Sequence, residues 1–259
     1  MFRYGEMFEN LTNIKENPHL GKMKPFKIVG GVYFAGTYQA SCHIIDTGAG
    51  LILIDPGYSS TLYLVINSIY ELGFKPSDIK YIINTHWHFD HVEATKALAD
   101  LSGAITLIGR DDAEKALQFF TPDILVDDGY VLTLGNTKIE FMITPGHTKG
   151  TLSFFFNTSE DGKIYRVGMF GGAGVNTLEK SHRFYDFDGC QEAFVASVER
   201  LEKEKVDVFI GNHCWNNGTY EKAKKLLSVG INEFLDCKIW GDFLASCKSR
   251  ALDMIKQGK

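Results

Sequence analysis

The stretch Thr85–Glu93, THWHFDHVE, sets three histidines and an aspartate within six consecutive positions, His86 to His91, in a chain with eight histidines in all. Before it runs KYIINT (80–85), a short apolar segment that reads as a buried strand. After it, DHVEATKALADL has the spacing of a helix that starts near Asp90. The cluster therefore falls at a strand-to-helix turn, where a rigid scaffold commonly presents chemistry. Side chains alternate along an extended segment, so His86 and His88 project to one side, while Asp90 and His91 on the first helical turn aim elsewhere. One short peptide thus offers two ligands to one cation and two to a neighbour. Imidazole nitrogen and carboxylate oxygen are what zinc accepts, at about 2.0–2.2 Å. Capping or core hydrogen bonding accounts for a lone histidine, not for this density.

Two more histidines follow strands directly. TPGHT (144–148) places His147 after a turn forced by Pro145 and Gly146, and FIGNHC (209–214) places His213 close behind a glycine. Alone, either reads as a loop histidine. Together with the first cluster they complete three protein ligands for each of two ions, with a position left for water. His19 and His43 are read as ordinary residues. The five cysteines include no CxxC pair and read as reduced thiols, with Cys214, next to His213, the one to watch.

Working outward, KIVGGVYFAG (27–36), SCHIIDTG (41–48) and GLILID (50–55) read as strands, the last two joined through GAG. SSTLYLVINSIYEL (59–72) reads as a helix opened by serine caps. AITLIG (104–109) is a strand, DDAEKALQFF a short helix, and YVLTL, TKIEFMIT, TLSFFFN and KIYRVGMF are four further strands. FVASVERLEKEK is an amphipathic helix, VDVFIG a strand, and 219–256 mostly helix with a break near Gly230. Two strand-rich halves, each followed by helices, predict an α/β chain with two sheets face to face and helices outside. One domain over 1–259 is expected, its first 25 residues an extension.

Composition narrows the partners. The 27 basic and 32 acidic side chains give a formal charge of −5 without long blocks of either sign, which argues against nucleic acid. No run of 18 uncharged apolar residues marks a membrane span, and MFRYGEMFENL lacks the pattern of a secretory signal. A small-molecule substrate and a cytoplasmic location are expected, the latter unless a leader was trimmed. Oligomeric state is not legible.

HxHxDH, PGHT and a histidine after a late strand, together with LIDPG (53–57), resemble the metallo-β-lactamase superfamily over roughly residues 26–255. The resemblance implies an αββα sandwich, two mixed β-sheets flanked by helices, with metals at one edge between the sheets and Asp55 as a support behind the ligands. The superfamily's usual bridging aspartate is missing, because KIYRVGMF runs into GGAG (171–174). That absence, with three intact histidines in the first motif and similar C-terminal helices, resembles subclass B3. It implies one zinc on His86, His88 and His147, a second on Asp90, His91 and His213, and a shared activated water that attacks a carbonyl, with Asp90 orienting the nucleophile. Without a bridging carboxylate the donor set favours zinc over iron or manganese. Nucleases and flavodiiron-type proteins of this fold fit less well, the former for want of a basic face and the latter because they place Glu where His88 stands.

GGAG also departs from the subclass, whose serines there help hold an antibiotic's carboxylate. Substrate contacts are expected instead from GTYQAS (36–41), NTLEKSHRFYDFDG (176–189) and WNNG (215–218), with Tyr38, Arg183, Tyr185, Trp215, Asn216 and Asn217 as candidates. Arg183 offers a fork for a carboxylate. The leading expectation is a dinuclear zinc hydrolase of a β-lactam or related cyclic amide or ester. Alternatives are a hydrolase of a lactone, thioester or other small metabolite, and a non-catalytic metal-binding protein.

Overall fold

The computed structural model describes residues 17–258. Its first sheet runs in the order β1 (Phe26–Val29), β2 (Val32–Phe34), β3 (His43–Asp46), β4 (Leu51–Ile54), β5 (Ile79–Ile83), β6 (Ile105–Gly109), β7 (Ile124–Val126). Pairing is antiparallel as far as β4 and parallel from β4 to β7. The second sheet has the order β12 (Val208–Phe209), β11 (Lys163–Met169), β10 (Leu152–Glu160), β9 (Thr137–Ile143), β8 (Val131–Leu134), with only β12 parallel to its neighbour.

Strand composition explains why the sheets stack and why each still needs helices. In LILI of β4 all four side chains are buried, Ile52 and Ile54 toward the second sheet and Leu51 and Leu53 toward helices. In β10, Phe154 and Phe156 enter the core between the sheets while Phe155 faces outward. A strand apolar on both faces requires cover on both. Helices α1 (Leu62–Glu71) and α3 (Thr95–Ser102) supply it to the first sheet through Val65, Ile69 and Leu98. Helices α5 (Cys190–Leu201) and α8 (Lys238–Gln257) supply it to the second through Phe194, Val198, Trp240 and Leu244. Short helices α2 (Phe89–Val92), α4 (Ala113–Ala116) and α6 (Cys214–Asn217) lie near the strand ends, and α7 (Thr219–Val229) ends at Gly230 as expected.

Several local expectations are corrected. KIVGGVYFAG is a hairpin rather than one strand: Gly30 takes φ +53, and a Cβ on it would run into Thr158. Strand β7, only three residues of ILV, carried too little periodicity to be read. The helix after the histidine cluster is broken into α2 and α3. Ser59 caps no helix; its N–H and hydroxyl donate to Glu93 Oε2 and O, each at 3.0 Å. Of the N-terminal extension, residues 17–25 belong to the body, with Met23 buried in the main core. Residues 1–16 lie outside the described ones. No described helix is long and apolar enough to cross a membrane.

Candidate metal centre

Four strand ends converge on one edge of the sandwich. Asp55 follows β4, His86 follows β5, His147 follows β9 and His213 follows β12. The two sheets are stitched together there by backbone, Leu152 N to Thr85 O at 2.8 Å and Ser41 N to Asn212 O at 3.0 Å. All six expected ligands come together in two groups, His86 with His88 and His147, and Asp90 with His91 and His213, the ligating atoms of each group lying within 4.8 Å of one another. The groups adjoin, with the His86 and His91 rings 4.2 Å apart.

The hydrogen bonds fix which nitrogens face inward. Thr85 Oγ1 donates its proton to Asp55 Oδ2 at 2.7 Å, so its 3.0 Å contact with His86 Nδ1 makes that nitrogen the donor. His91 Nδ1 donates to Asp55 Oδ2 at 2.8 Å, His147 Nδ1 to Gly174 O at 2.7 Å, and His213 Nδ1 to Gln39 O at 2.9 Å. Each of these four rings commits Nδ1 to the protein and leaves Nε2 as the nitrogen available to a metal. His88 instead turns Nδ1 toward His147 Nε2 at 3.0 Å. The Nε2 of His91, which faces its own group, is buried with no hydrogen-bond partner among the described residues, a costly arrangement in a purely structural site. Available ring nitrogens, one carboxylate and this crowding fit a zinc-type cation.

Charge follows burial. Burial and the neighbouring imidazoles push His86 and His88 well below the usual histidine range, and burial leads in pushing His147 and His213 down to about 4. Burial also opposes charge on Asp90 and His91, but each is outweighed by its neighbours. His91 and His213 hold the Asp90 carboxyl below its usual range, and Asp90 and Asp55 raise His91.

Asp55 was expected behind the ligands and is found there, wholly buried, with φ 51, accepting from Thr85 N at 2.8 Å as well as from His91. Its left-handed backbone is strained for a residue with a Cβ and is held by these bonds. GGAG also gains a reason. A Cβ on Gly171 would collide with Leu152 O, and one on Gly174 would stand 3.0 Å from His147 Cε1. The segment is bare because its backbone packs against a candidate ligand.

A family profile described as the metallo-beta-lactamase superfamily matches residues 35–210. The chain belongs to the metallo-β-lactamase superfamily. The subclass B3 metallo-β-lactamase BJP-1 of Bradyrhizobium japonicum superposes with a TM-score of 0.83 at 25% identity, over 92% of this chain and 95% of that one. An N-acyl homoserine lactonase of Bacillus thuringiensis is 25% identical over 205 residues, 66% of this chain and 80% of that protein. A hydroxyacylglutathione hydrolase of Chelativorans sp. is 37% identical over 165 residues, 64% of this chain and 58% of that protein.

The metallo-β-lactamase frame leaves the rim to be read residue by residue. Phe184 lies against His88, ring centroids 4.9 Å apart, and the exposed Arg183 guanidinium stands 4.5 Å over Phe184 and 5.9 Å over Phe89. Trp215 stacks on His213 at 4.3 Å. Three residues expected to contact substrate already hold hydrogen bonds within the fold. Asn217 is buried, giving Nδ2 to Phe209 O and taking Thr219 Oγ1. Asn216 Oδ1 accepts from His213 N at 2.9 Å, and Tyr185 OH donates to Asp188 Oδ1 at 2.8 Å. Tyr38 packs on the main core edge to face with Tyr220, centroids 5.1 Å apart. Cys214 is a core thiol, its pKa pushed up to about 12 by burial, and lies outside both groups.

Sequence reading missed three residues. Gln39 holds His213 through its carbonyl and reaches Tyr58 OH with Nε2 at 2.7 Å. Tyr58, just after LIDPG, packs on Phe89, and burial with Asp90 nearby keeps its phenol protonated. Asp112 is wholly buried, and burial pushes its carboxyl up to about 6 against the donors it accepts from. The available signal was GRDD, an acidic pair directly after a buried strand.

Proposed function

We propose that this metallohydrolase holds two zinc ions, on His86, His88 and His147 and on Asp90, His91 and His213, and hydrolyses a small cyclic amide or ester, with β-lactams first among them. The observation that carries this reading is the pair of adjoining ligand groups with Asp90 Oδ2 3.5 Å from His91 Nε2 and 3.6 Å from His213 Nε2. When bound, zinc supplies Lewis acidity toward a carbonyl oxygen and makes water more acidic. The chain supplies orientation and proton handling. Thr85, Asp55, Gly174 and Gln39 fix the four rings whose Nε2 is available to a metal. Asp90, kept ionised at neutral pH by His91 and His213, accepts the proton of the attacking water as the new carbon–oxygen bond forms. It returns that proton to the leaving nitrogen or oxygen as the ring bond breaks. Arg183, above an aromatic floor, suits a substrate that carries an anionic group beside an apolar one.

A second reading, hydrolysis of a lactone or thioester, is favoured by GGAG, which offers no hydroxyl for an antibiotic's carboxylate. The lactonase and the hydroxyacylglutathione hydrolase among the relatives support it. The test is metal analysis of purified protein followed by one panel of penicillins, carbapenems, lactones and thioesters. Two zinc per chain with β-lactam turnover supports the first reading. Two zinc with lactone or thioester turnover and no β-lactam turnover replaces β-lactams with the substrates of the second reading, and protein that takes up no zinc sinks both.

A further inference from the structure

The short turn at 110–116 touches both ligand-bearing loops of the first group and the rim loop above them. Asp112 points inward. Its Oδ2 accepts from Trp87 N at 3.1 Å and from Thr148 Oγ1 at 2.7 Å, and its Oδ1 accepts from Gly150 N at 2.7 Å. Trp87 lies between His86 and His88, while Thr148 and Gly150 follow His147. A single buried carboxylate therefore ties the peptide carrying two ligands of the first group to the peptide carrying the third. The approach is close by design of the sequence, since a Cβ on Gly150 would stand 2.8 Å from Asp112 Cγ.

Three residues on, Lys115 reaches the rim loop. It forms an ion pair with Asp186, whose carboxylate is almost wholly covered and also accepts from Lys149 N at 2.7 Å. The Lys115 ammonium stands 5.2 Å over the Trp87 ring as well. Asp186 sits two residues after Phe184, the ring that lies against His88, and three after Arg183. The same turn thus anchors the rim loop from which substrate contacts are expected.

We infer that the 110–116 turn is a positioning element with two separable roles, Asp112 setting the geometry of the first zinc site and Lys115 with Asp186 setting the loop that carries Arg183 and Phe184. None of these three side chains touches metal or substrate. The inference rests on the zinc reading above, and the two fail in different ways.

The test uses the full chain and zinc alone. In a His213→Ala background, which leaves the first site, Asp112→Asn lowers zinc affinity about 10- to 100-fold, the range for partners that orient ligands. In a His86→Ala background, which leaves the second, the same change alters affinity less than about threefold. Thr148→Val gives a smaller loss at the first site and Thr148→Ser restores it, which guards against misfolding of the Asp112 variant. Asp186→Asn leaves both affinities unchanged but speeds hydrogen exchange at residues 181–188 of the zinc-loaded protein. Equal loss at both sites after Asp112→Asn, no loss at either, or unchanged exchange after Asp186→Asn overturns the inference. A wild-type chain that takes up no zinc overturns the metal reading itself.

Discussion

At the scale of single residues, the site is governed by what each polar atom is already committed to. Asp55 accepts from Thr85 and His91 at once, and through the Thr85 hydroxyl it also orients His86. Asn217 and Tyr185 look like pocket residues in the sequence, yet their own hydrogen bonds use them within the fold. Arg183 forms no ion pair with a carboxylate among the described residues and stands over the Phe184 and Phe89 rings. Arg183→Ala should therefore raise KM for an anionic substrate about 10- to 100-fold, the size of a charge-assisted hydrogen bond, with kcat little changed. Steady-state kinetics with an anionic and a neutral substrate of the same ring would check it; equal effects on both would remove the assigned role.

At the scale of elements, the glycine-rich segment after β11 shows how backbone packing overrides side-chain analogy. A hydroxyl at 171 would be the simplest way to restore the missing carboxylate contact. Gly171→Ser should instead destabilise the protein by about 1–3 kcal/mol, because its Cβ meets Leu152 O and Thr85 Cβ in the seam between the sheets. Denaturant unfolding would measure this, and a variant as stable as wild type would show that the seam can open. The same seam was invisible in the sequence, since Thr85 and Leu152 are joined by a backbone bond across two sheets. Most strands were legible because their residues alternate or are apolar throughout. The Gly30 hairpin and three-residue β7 were not, one because a glycine pair inside an apolar run hides a turn and the other for lack of length.

At the scale of the whole molecule, one edge concentrates buried imidazoles, and this sets the acid response of the zinc-free chain. His147 and His213 have folded pKa values of about 4 against an unfolded value of 6.5, and burial also holds His86 and His88 well below 6.5. Between pH 6.5 and 4 the unfolded chain binds more protons at these positions, so stability is fully present above pH 6.5 and lost as pH falls toward 4. His91, whose folded value is raised, acts in the opposite sense, with stability present below pH 6.5 and lost as pH rises through its folded pKa. Four groups outweigh one, so the melting temperature of zinc-free protein should drop steeply from pH 6.5 to 4. A flat profile by calorimetry would show that the cluster is hydrated or rearranged without metal.

The sequence by itself determined the two-sheet architecture and the six candidate ligands, because strand periodicity, the spacing of HxHxDH and the histidines set behind strands in TPGHT and FIGNHC are local properties that survive without knowledge of the fold. What only the tertiary structure decided is the shell behind those ligands: Asp112 bridging two loops, Gln39 behind His213, and the bare glycines beside His147. Those contacts join residues far apart in the chain, and a hydrogen bond between remote segments leaves no periodicity or spacing along the chain from which it can be read.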